Sequence, residues 1–286
     1  MTLVKTVWTA YGPTALFVLL WSSGALFAKW GLAHGSAFAF LTLRFALALL
    51  VLTLVGIWRR RWLPAPGTRL HVAATGLLLV GSYSVCYLLA LDHGLTPGVL
   101  ATVLGVQPML TLLLGERRLA ARRLAGLALA LGGLCLVVWD SLMQARVSAL
   151  GLLFAFAALG CMTAGAMLQK CIHQAPADVM PLQYAVSLLL CLAFLPFQPH
   201  GFEWVLGFVL PVVWMALVIS VLATLLLYRL IQAGNLVNVT SLFYLVPGGT
   251  AALDWLVFGN TMAPAALIGM GAILLGLLQV FRTPRA

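Results

Sequence analysis

Charge is scarce in this sequence, and negative charge is scarcest: aspartate and glutamate supply six of the 286 residues, and charged residues total 8%. An ordinary soluble domain has about 25% charged residues, so this chain has too few to build a water-facing surface. The five cysteines show no paired metal-ligand spacing. They are typical of small packing residues, and the sequence predicts neither a metal site nor a cofactor.

Long apolar runs are what the sequence has instead. Hydrophobic residues make up 63% of the chain and come in blocks of about 20, each long enough to cross a bilayer core of about 30 Å. Because the apolar residues come in blocks and do not alternate with polar ones, the sequence excludes an outer-membrane barrel. The net charge of +10 is typical of the cytoplasmic excess of arginine and lysine in membrane proteins, so no nucleic-acid partner is predicted. We predict an all-α polytopic membrane protein with the lipid bilayer as its partner.

The blocks between charges, prolines and glycines predict ten transmembrane helices. Their approximate bounds are 13–33, 36–57, 69–91, 95–114, 122–140, 149–170, 178–197, 207–230, 236–258 and 263–281. With the N-terminus in the cytoplasm, this count puts most arginines and lysines on the inner side and both termini in the cytoplasm. The first apolar run lacks an A-x-A-like exit, so no cleavable signal is predicted.

The two halves of the chain echo one another. The segment GALFAK ends at Lys29, and GAMLQK ends at Lys170, 141 residues later (170 − 29 = 141). Pro108 and Pro247 interrupt the fourth and ninth spans at a similar offset (247 − 108 = 139). Because five helices is an odd number, the second half must enter the membrane upside down. Inverted repeats with matching breaks indicate a transporter with a site near the midplane.

The sequence resembles the EamA branch of the drug/metabolite transporter superfamily. The resemblance is carried by the ten-helix length, by the W-S-x-G segment at Trp21, and by Pro108 followed by Gly-Glu at Glu116. The chain is most similar to the bacterial aromatic amino acid exporters. This implies two EamA-like repeats, 1–146 and 147–286, in a bacterial inner membrane. Where the second repeat usually carries a glutamate, this chain has Asn260.

Two cations in the apolar runs need an explanation. Arg44 lies about 12 Å deep in the second helix, where an arginine must face protein or water. It pairs with Asp92 or Asp254, or it binds a substrate carboxylate through a bidentate fork. Lys29 lies near the outer end of the first helix, where it snorkels to the interface, attracts a substrate carboxylate or forms an ion pair.

Aromatic and polar side chains within the spans are the remaining site candidates. Tyr83 and Tyr87 share one helix face, and each proline removes a backbone donor, which frees a carbonyl four residues earlier. Packing between helices is the alternative for all of them. The candidate substrate-binding residues are Trp21, Arg44, Tyr83, Tyr87, Gln107, Trp214, Asn238 and Tyr244. The candidate gating residues are Pro108, Pro247, Gly248 and Gly249, and the candidates for proton coupling are Asp254 and His93.

The resulting hypothesis is a transporter that exports small amphipathic molecules, in particular amino acids with aromatic or large apolar side chains. The resemblance implies alternating access around a central cavity. Alternatives are the export of other metabolites or drugs, with or without proton coupling. A channel or an intramembrane enzyme is disfavoured, since the chain has no carbonyl-filter sequence, G-x-S-x-G or H-E-x-x-H. The sequence does not decide between monomer and dimer.

Overall fold

A computed structural model describes residues 2–116, 120–144, 148–259 and 261–282 of the chain. Apart from one isolated bridge between Gly35 and Phe202, these residues form helices, turns and loops without strands. The long helices are α1 (Thr2–Leu32), α2 (Ala37–Trp58), α3 (Arg69–Asp92), α4 (Pro97–Gly115), α5 (Ala121–Val137), α6 (Ala149–Lys170), α7 (Pro176–Phe197), α8 (Leu206–Ala233), α9 (Leu236–Leu256) and α10 (Pro264–Phe281). A short helix, Trp139–Met143, follows α5.

Nine of these helices are long and apolar enough to cross a membrane, within the part of the chain that the structure describes. The exception is α5, which has 17 residues. The prediction of an all-helical multi-pass membrane protein is confirmed. Most predicted bounds are close to the observed ones, as for 149–170 and α6. The first helix begins much earlier than residue 13, at Thr2.

Four helices depart from regular α-geometry in their interior, and they do so in matching pairs. In α3 the turn Leu77–Ser82 is π-helical, and in α8 the turn Met215–Ala223 is π-helical as well. In α4 the helix is interrupted at 105–106, and in α9 a 3₁₀ turn spans Leu242–Tyr244. A π-helical turn widens the helix and leaves some carbonyls to side-chain donors. Both halves of the chain therefore carry one widened and one broken helix.

The breaks in α4 and α9 lie a few residues before the prolines, and not at the prolines themselves. Pro108 sits in the first turn of the segment after its break, and Pro247 lies within the first turn of Leu245–Phe258. A proline ring excludes the carbonyl of the residue four positions earlier. That carbonyl belongs to Leu104 in α4 and to Phe243 in α9, which is where the two helices lose their regular bonding.

The helices α5 and α10 cross in opposite directions at very close range. A Cβ atom added to Gly126 would lie 2.7 Å from the carbonyl oxygen of Gly276. One added to Gly133 would lie 2.6 Å from that of Gly269. As the contact moves up α5 it moves down α10, so the two helices are antiparallel. Small residues let helix backbones approach in this way where lipid replaces water.

The other helix pairings follow a regular scheme. The helix α3 packs against α6 as α1 packs against α8, and α3 packs against α7 as α2 packs against α8. Likewise α4 packs against α6 as α1 packs against α9. Each pairing maps onto its counterpart when every helix is exchanged with the one five places along the chain. The largest buried core lies where α1, α2, α7 and α8 meet, around Phe17, Phe45 and Tyr184.

Candidate functional site

Arg44 projects from α2 toward the π-helical turn of α8. Its Nε donates a hydrogen bond of 2.7 Å to the hydroxyl of Ser220, and its guanidinium carbon lies 5.7 Å from the centre of the Phe45 ring. Among the described residues, no carboxylate lies within ion-pair distance of Arg44. Asp92, one predicted partner, lies instead beside His93 at the end of α3. The guanidinium therefore retains donors and a charge that an anion can satisfy.

Ser220 brings a second polar side chain to the same place. The hydroxyl of Tyr184 in α7 donates a hydrogen bond of 2.7 Å to the Ser220 carbonyl oxygen. Thr224 donates in turn to the carbonyl of Ile219, at 3.0 Å. The π-helical turn thus offers carbonyls to side chains of α7 and α8, and it holds the Ser220 hydroxyl where Arg44 reaches it. Burial of Ser220 and Tyr184 at 0% and 1% exposure fixes this geometry.

Tyr83 lies beside this cation on α3, and Tyr87 follows one helical turn later. Their ring centres are 6.0 Å apart and their planes are tilted by 57°. Tyr83 is close enough to Arg44 for the two side chains to interact electrostatically. Both tyrosines are half-buried, so part of each ring remains accessible. The structure thus brings together three of the predicted substrate residues: one cation and two aromatic rings with hydroxyls.

Of the two predicted tryptophans, Trp21 belongs to α1 and Trp214 belongs to α8, where that helix packs against α1. Trp214 stacks on Phe27, with ring centres 4.4 Å apart and planes 12° from parallel, and its Nε1 donates to the hydroxyl of Ser23 at 3.1 Å. Trp21 packs edge-on against Phe243 of α9 at 5.3 Å. These contacts join α1 to α8 and α9. Both indoles are half-buried.

The predicted residues Gln107 and Tyr244 join the broken part of α4 to two neighbouring helices. The Tyr244 hydroxyl of α9 donates a hydrogen bond of 2.6 Å to the carbonyl of Gly105, within the break of α4. The Gln107 side chain donates to the carbonyl of Met162 in α6, at 3.5 Å. Both side chains are 1% exposed. The carbonyl of Gly105, next to the excluded carbonyl of Leu104, is thus satisfied by a side chain of the partner helix.

The glycines after Pro247 allow close approach between helices. A Cβ atom at Gly249 would lie 2.3 Å from the Ser22 hydroxyl of α1, and one at Gly248 would lie 3.0 Å from Met270 of α10. The helix α9 therefore touches both neighbours through these two positions. A side chain at Gly249 would push α9 away from α1.

The candidates for proton coupling lie toward one end of the bundle. The imidazole of His93 packs on the ring of Phe154 at 5.3 Å and lies 4.0 Å from the carboxylate of Asp92. The His93 carbonyl accepts a hydrogen bond from the hydroxyl of Ser148. Asp254 is half-buried in α9. These groups line neither of the two cavities described below.

A network around Arg123 was missed by the sequence analysis. Arg123 of α5 donates through Nη1 to Glu116 Oε1, and through Nη2 to Asn235 at 3.0 Å and Asn238 at 2.9 Å. The side-chain amide of Asn235 also donates to Glu116 Oε1, at 2.9 Å. Asn238, a predicted substrate residue, thus binds a protein cation. The sequence signal was opposite charge seven residues apart across a short loop.

Lys170 lies in the same end of the bundle, at the last residue of α6. Its Nζ donates to the carbonyls of Ile231, Gln232 and Gly234 at 2.6, 3.1 and 2.6 Å. These carbonyls belong to the last turn of α8 and the residue after it, so the lysine caps that helix. The charge also favours the negative end of the helix dipole. Sequence analysis placed Lys170 at this end of α6 but gave it no partner.

Two cavities open at this end of the bundle, with volumes of about 310 Å³ and about 410 Å³. The first is lined by Thr111, Gly115, Glu116, Met167, Lys170, Cys171, Asn235, Leu236 and Val237. The second is lined by Ala65, Gly67, Thr68, His71, Val72, Cys171, Ile172, His173 and Gln174. Neither is lined by a predicted substrate residue.

Apolar spans around buried polar side chains define this class of molecule as a polytopic helical membrane protein. The sequence model of the EamA-like transporter family matches residues 10–139 and 149–282. The chain belongs to the EamA-like transporter family. It is therefore a multi-pass membrane transporter of small molecules, in a family of transporters rather than enzymes.

Solved structures agree with this assignment at the level of the fold. Twenty-nine solved chains match, among them one described only as a crystal structure of a protein. That chain is 20% identical, with a TM-score of 0.78, and the match covers 95% of this chain and 97% of the other. No curated protein sequence gives a match.

Proposed function

We propose that this chain exports small amphipathic molecules that carry a carboxylate, in particular amino acids with aromatic or large apolar side chains. The observation that carries the proposal is Arg44, an intramembrane cation bound to a neutral hydroxyl without a carboxylate partner among the described residues. A buried cation is costly unless an anion compensates it. A substrate carboxylate supplies that anion through two parallel hydrogen bonds.

The surroundings of Arg44 favour an aromatic or large apolar side chain on the substrate. Tyr83 lies beside the cation, and Tyr87 extends this aromatic surface with a second half-buried ring 6.0 Å away. Trp21 on α1 and Trp214 on α8 contribute further aromatic surface. Aromatic surfaces bind apolar groups through area and through offset or edge-on ring contacts. Tyr244 holds α9 against the break of α4, Gln107 holds α4 against α6, and both act on the substrate through that geometry.

We infer that the chain crosses the membrane ten times, as two inverted repeats comprising residues 1–146 and 147–286. The antiparallel crossing of α5 and α10 supports this, since the last helices of two inverted copies must run in opposite directions. The matched helix pairings, π-helical turns and breaks support it too. The 17 residues of α5 rise by about 25 Å, close to the bilayer core.

The proposed orientation puts both termini in the cytoplasm of a bacterial inner membrane. The end that holds Lys170, Arg123 and the ion pair of Arg59 with Asp178, at 3.1 Å, is then the inner end. The positive-inside tendency supports this choice. Transport then proceeds by alternating access, in which the two halves rock around the Arg44 site.

Flux into or out of proteoliposomes tests the proposal. We expect protein-dependent movement of labelled phenylalanine and tryptophan that unlabelled amino acids of similar size compete with. Absence of flux for every neutral amino acid would defeat the substrate assignment.

The same assay under an imposed pH gradient, with Asp254→Asn as the variant, tests proton coupling. Loss of pH dependence in this variant supports proton coupling, and unchanged flux supports facilitated export.

A further inference from the structure

The cavity of about 310 Å³ between α4, α6 and α9 leads toward the broken part of α4. Thr111, which lines the cavity, donates a hydrogen bond of 2.8 Å to the carbonyl of Gln107. Gln107 in turn begins the helical segment that follows the break. The cavity therefore ends one helical turn from the residues that join α4 to α6 and α9.

Two opposite charges line this cavity. Lys170 donates to three neutral carbonyls, and none of the ion pairs formed by described residues includes it. Glu116 receives Arg123 and Asn235 on the same oxygen, Oε1. No described residue donates to its second oxygen, Oε2. Among the residues that the structure describes, the cavity thus offers a cation without a counter-ion and a carboxylate oxygen without a donor.

Apolar side chains form the rest of the wall, among them Met167, Leu236 and Val237. A methionine adapts its shape to an irregular ligand and makes favourable contacts with aromatic rings. Among the described residues, Lys170 and Glu116 line the cavity and Arg123 binds Glu116, and these three groups carry a net charge of one positive unit. This combination suits a molecule with a carboxylate, an ammonium group and an apolar side chain.

We propose that this cavity is a second amino acid site, at which the head group of the substrate binds before it reaches Arg44. The substrate carboxylate lies beside the Lys170 ammonium and supplies the missing counter-charge, and the substrate ammonium donates to Glu116 Oε2. The apolar side chain lies against Met167. This inference rests on the proposed function, because it takes the same class of substrate, and it adds a loading site at the inner end.

The corresponding position at the other end of the bundle lacks the acid that such a site needs. Lys29, the counterpart of Lys170, is exposed to the surroundings of the bundle. The residue in the place of a second glutamate is Asn260, which lies outside the described residues. The carboxylate of Glu116 and the ammonium of Lys170 thus occur together at the inner end of the bundle, which is where we place the loading site.

Equilibrium binding of labelled phenylalanine to the full chain in lipid nanodiscs tests the inference. We expect two sites in the unaltered protein and one in Arg44→Gln. In the Arg44→Gln background, Lys170→Gln or Glu116→Gln should weaken the remaining site about tenfold or more, since each removes a charge that faces the head group. Lys170→Arg keeps the charge and should retain the site. Lys29→Gln is the matched control and should leave both sites intact.

The outcomes separate this inference from the proposed function. If phenylalanine binds at a single site and this binding is lost entirely in Arg44→Gln, the loading site is overturned and the Arg44 site stands. No binding of phenylalanine to the unaltered protein defeats both. In the Arg44→Gln background, 3-phenylpropionate and phenethylamine each lack one charged group and should bind more weakly than phenylalanine. Equal binding of all three would overturn the head-group assignment.

Discussion

Lys29 and Lys170 end matching segments in the two halves, yet they differ completely in their surroundings. Lys170 donates to three carbonyls at the end of α8. Lys29 is exposed at the end of α1, although α1 packs on α8 as α6 packs on α3. The repeats therefore share their helices and crossings, and they differ where helices end.

The cause of the difference lies in two glycines. Gly94, after α3, has a positive φ of 88°, which lets Leu95 bond back to the Ala90 carbonyl at 3.1 Å. This left-handed cap satisfies the last carbonyls of α3 within its own chain. Gly234, after α8, has φ −107° and ψ 177°, so its helix end keeps open carbonyls. Lys170 therefore donates to carbonyls at the end of α8, whereas the last carbonyls of α3 already accept hydrogen bonds from their own chain.

The largest expected effect on this comparison comes from replacing each lysine by methionine. Lys170→Met leaves three carbonyls without their donor, and we expect a loss of about 3 kcal/mol in the free energy of unfolding, from about 1 kcal/mol for each orphaned acceptor. Lys29→Met should change it by less than about 0.5 kcal/mol, as for other surface changes. Unfolding in mixed micelles, followed by tryptophan fluorescence, measures both. Equal effects would contradict the difference between the two ends.

The feature shared by both halves is tested by alanine in the crossing of α5 and α10. A methyl group at Gly133 would collide with the Gly269 carbonyl, whereas nothing lies within 4 Å of the same position at Gly132. We expect Gly133→Ala to lower stability by about 2 kcal/mol relative to Gly132→Ala. The two changes have the same helix propensity, so their difference in melting temperature isolates the collision. Matching melts would argue against the antiparallel contact.

The smallest expected effect sharpens the comparison of the glycines. Gly94→Ala should cost about 1 kcal/mol, because an L-residue is strained at positive φ. Asparagine tolerates the left-handed conformation, so Gly94→Asn should recover part of that loss. Thermal unfolding of both variants measures it. An alanine variant as stable as the asparagine variant would show that α3 does not end in this cap.

Much of the fold was predictable because membrane helices obey a single constraint. In lipid, each span must satisfy its own backbone bonds, so apolar length alone located helices such as α6 and α2. Proline chemistry also predicted that α4 and α9 are interrupted. The breaks lie earlier than Pro108 and Pro247 because the excluded bond belongs to the residue four positions before.

The charged end of the bundle was not predictable from local pattern. Arg123 binds Asn235 and Asn238, which lie more than a hundred residues away in the chain. The carbonyls that Lys170 caps lie about sixty residues away. Such partners depend on which helices pack together and on the conformation of Gly234, and neither is encoded in the spacing of nearby residues.

The most direct test of the account is export of phenylalanine from proteoliposomes by Arg44→Gln. The account predicts that this variant folds and inserts, as judged by its melting in micelles, and that its kcat/KM falls about 100-fold, since two charge-assisted hydrogen bonds to the substrate carboxylate are lost. The unaltered protein should also reject phenethylamine, which has no carboxylate. Unchanged phenylalanine flux through Arg44→Gln would contradict the central claim that this arginine binds the transported molecule.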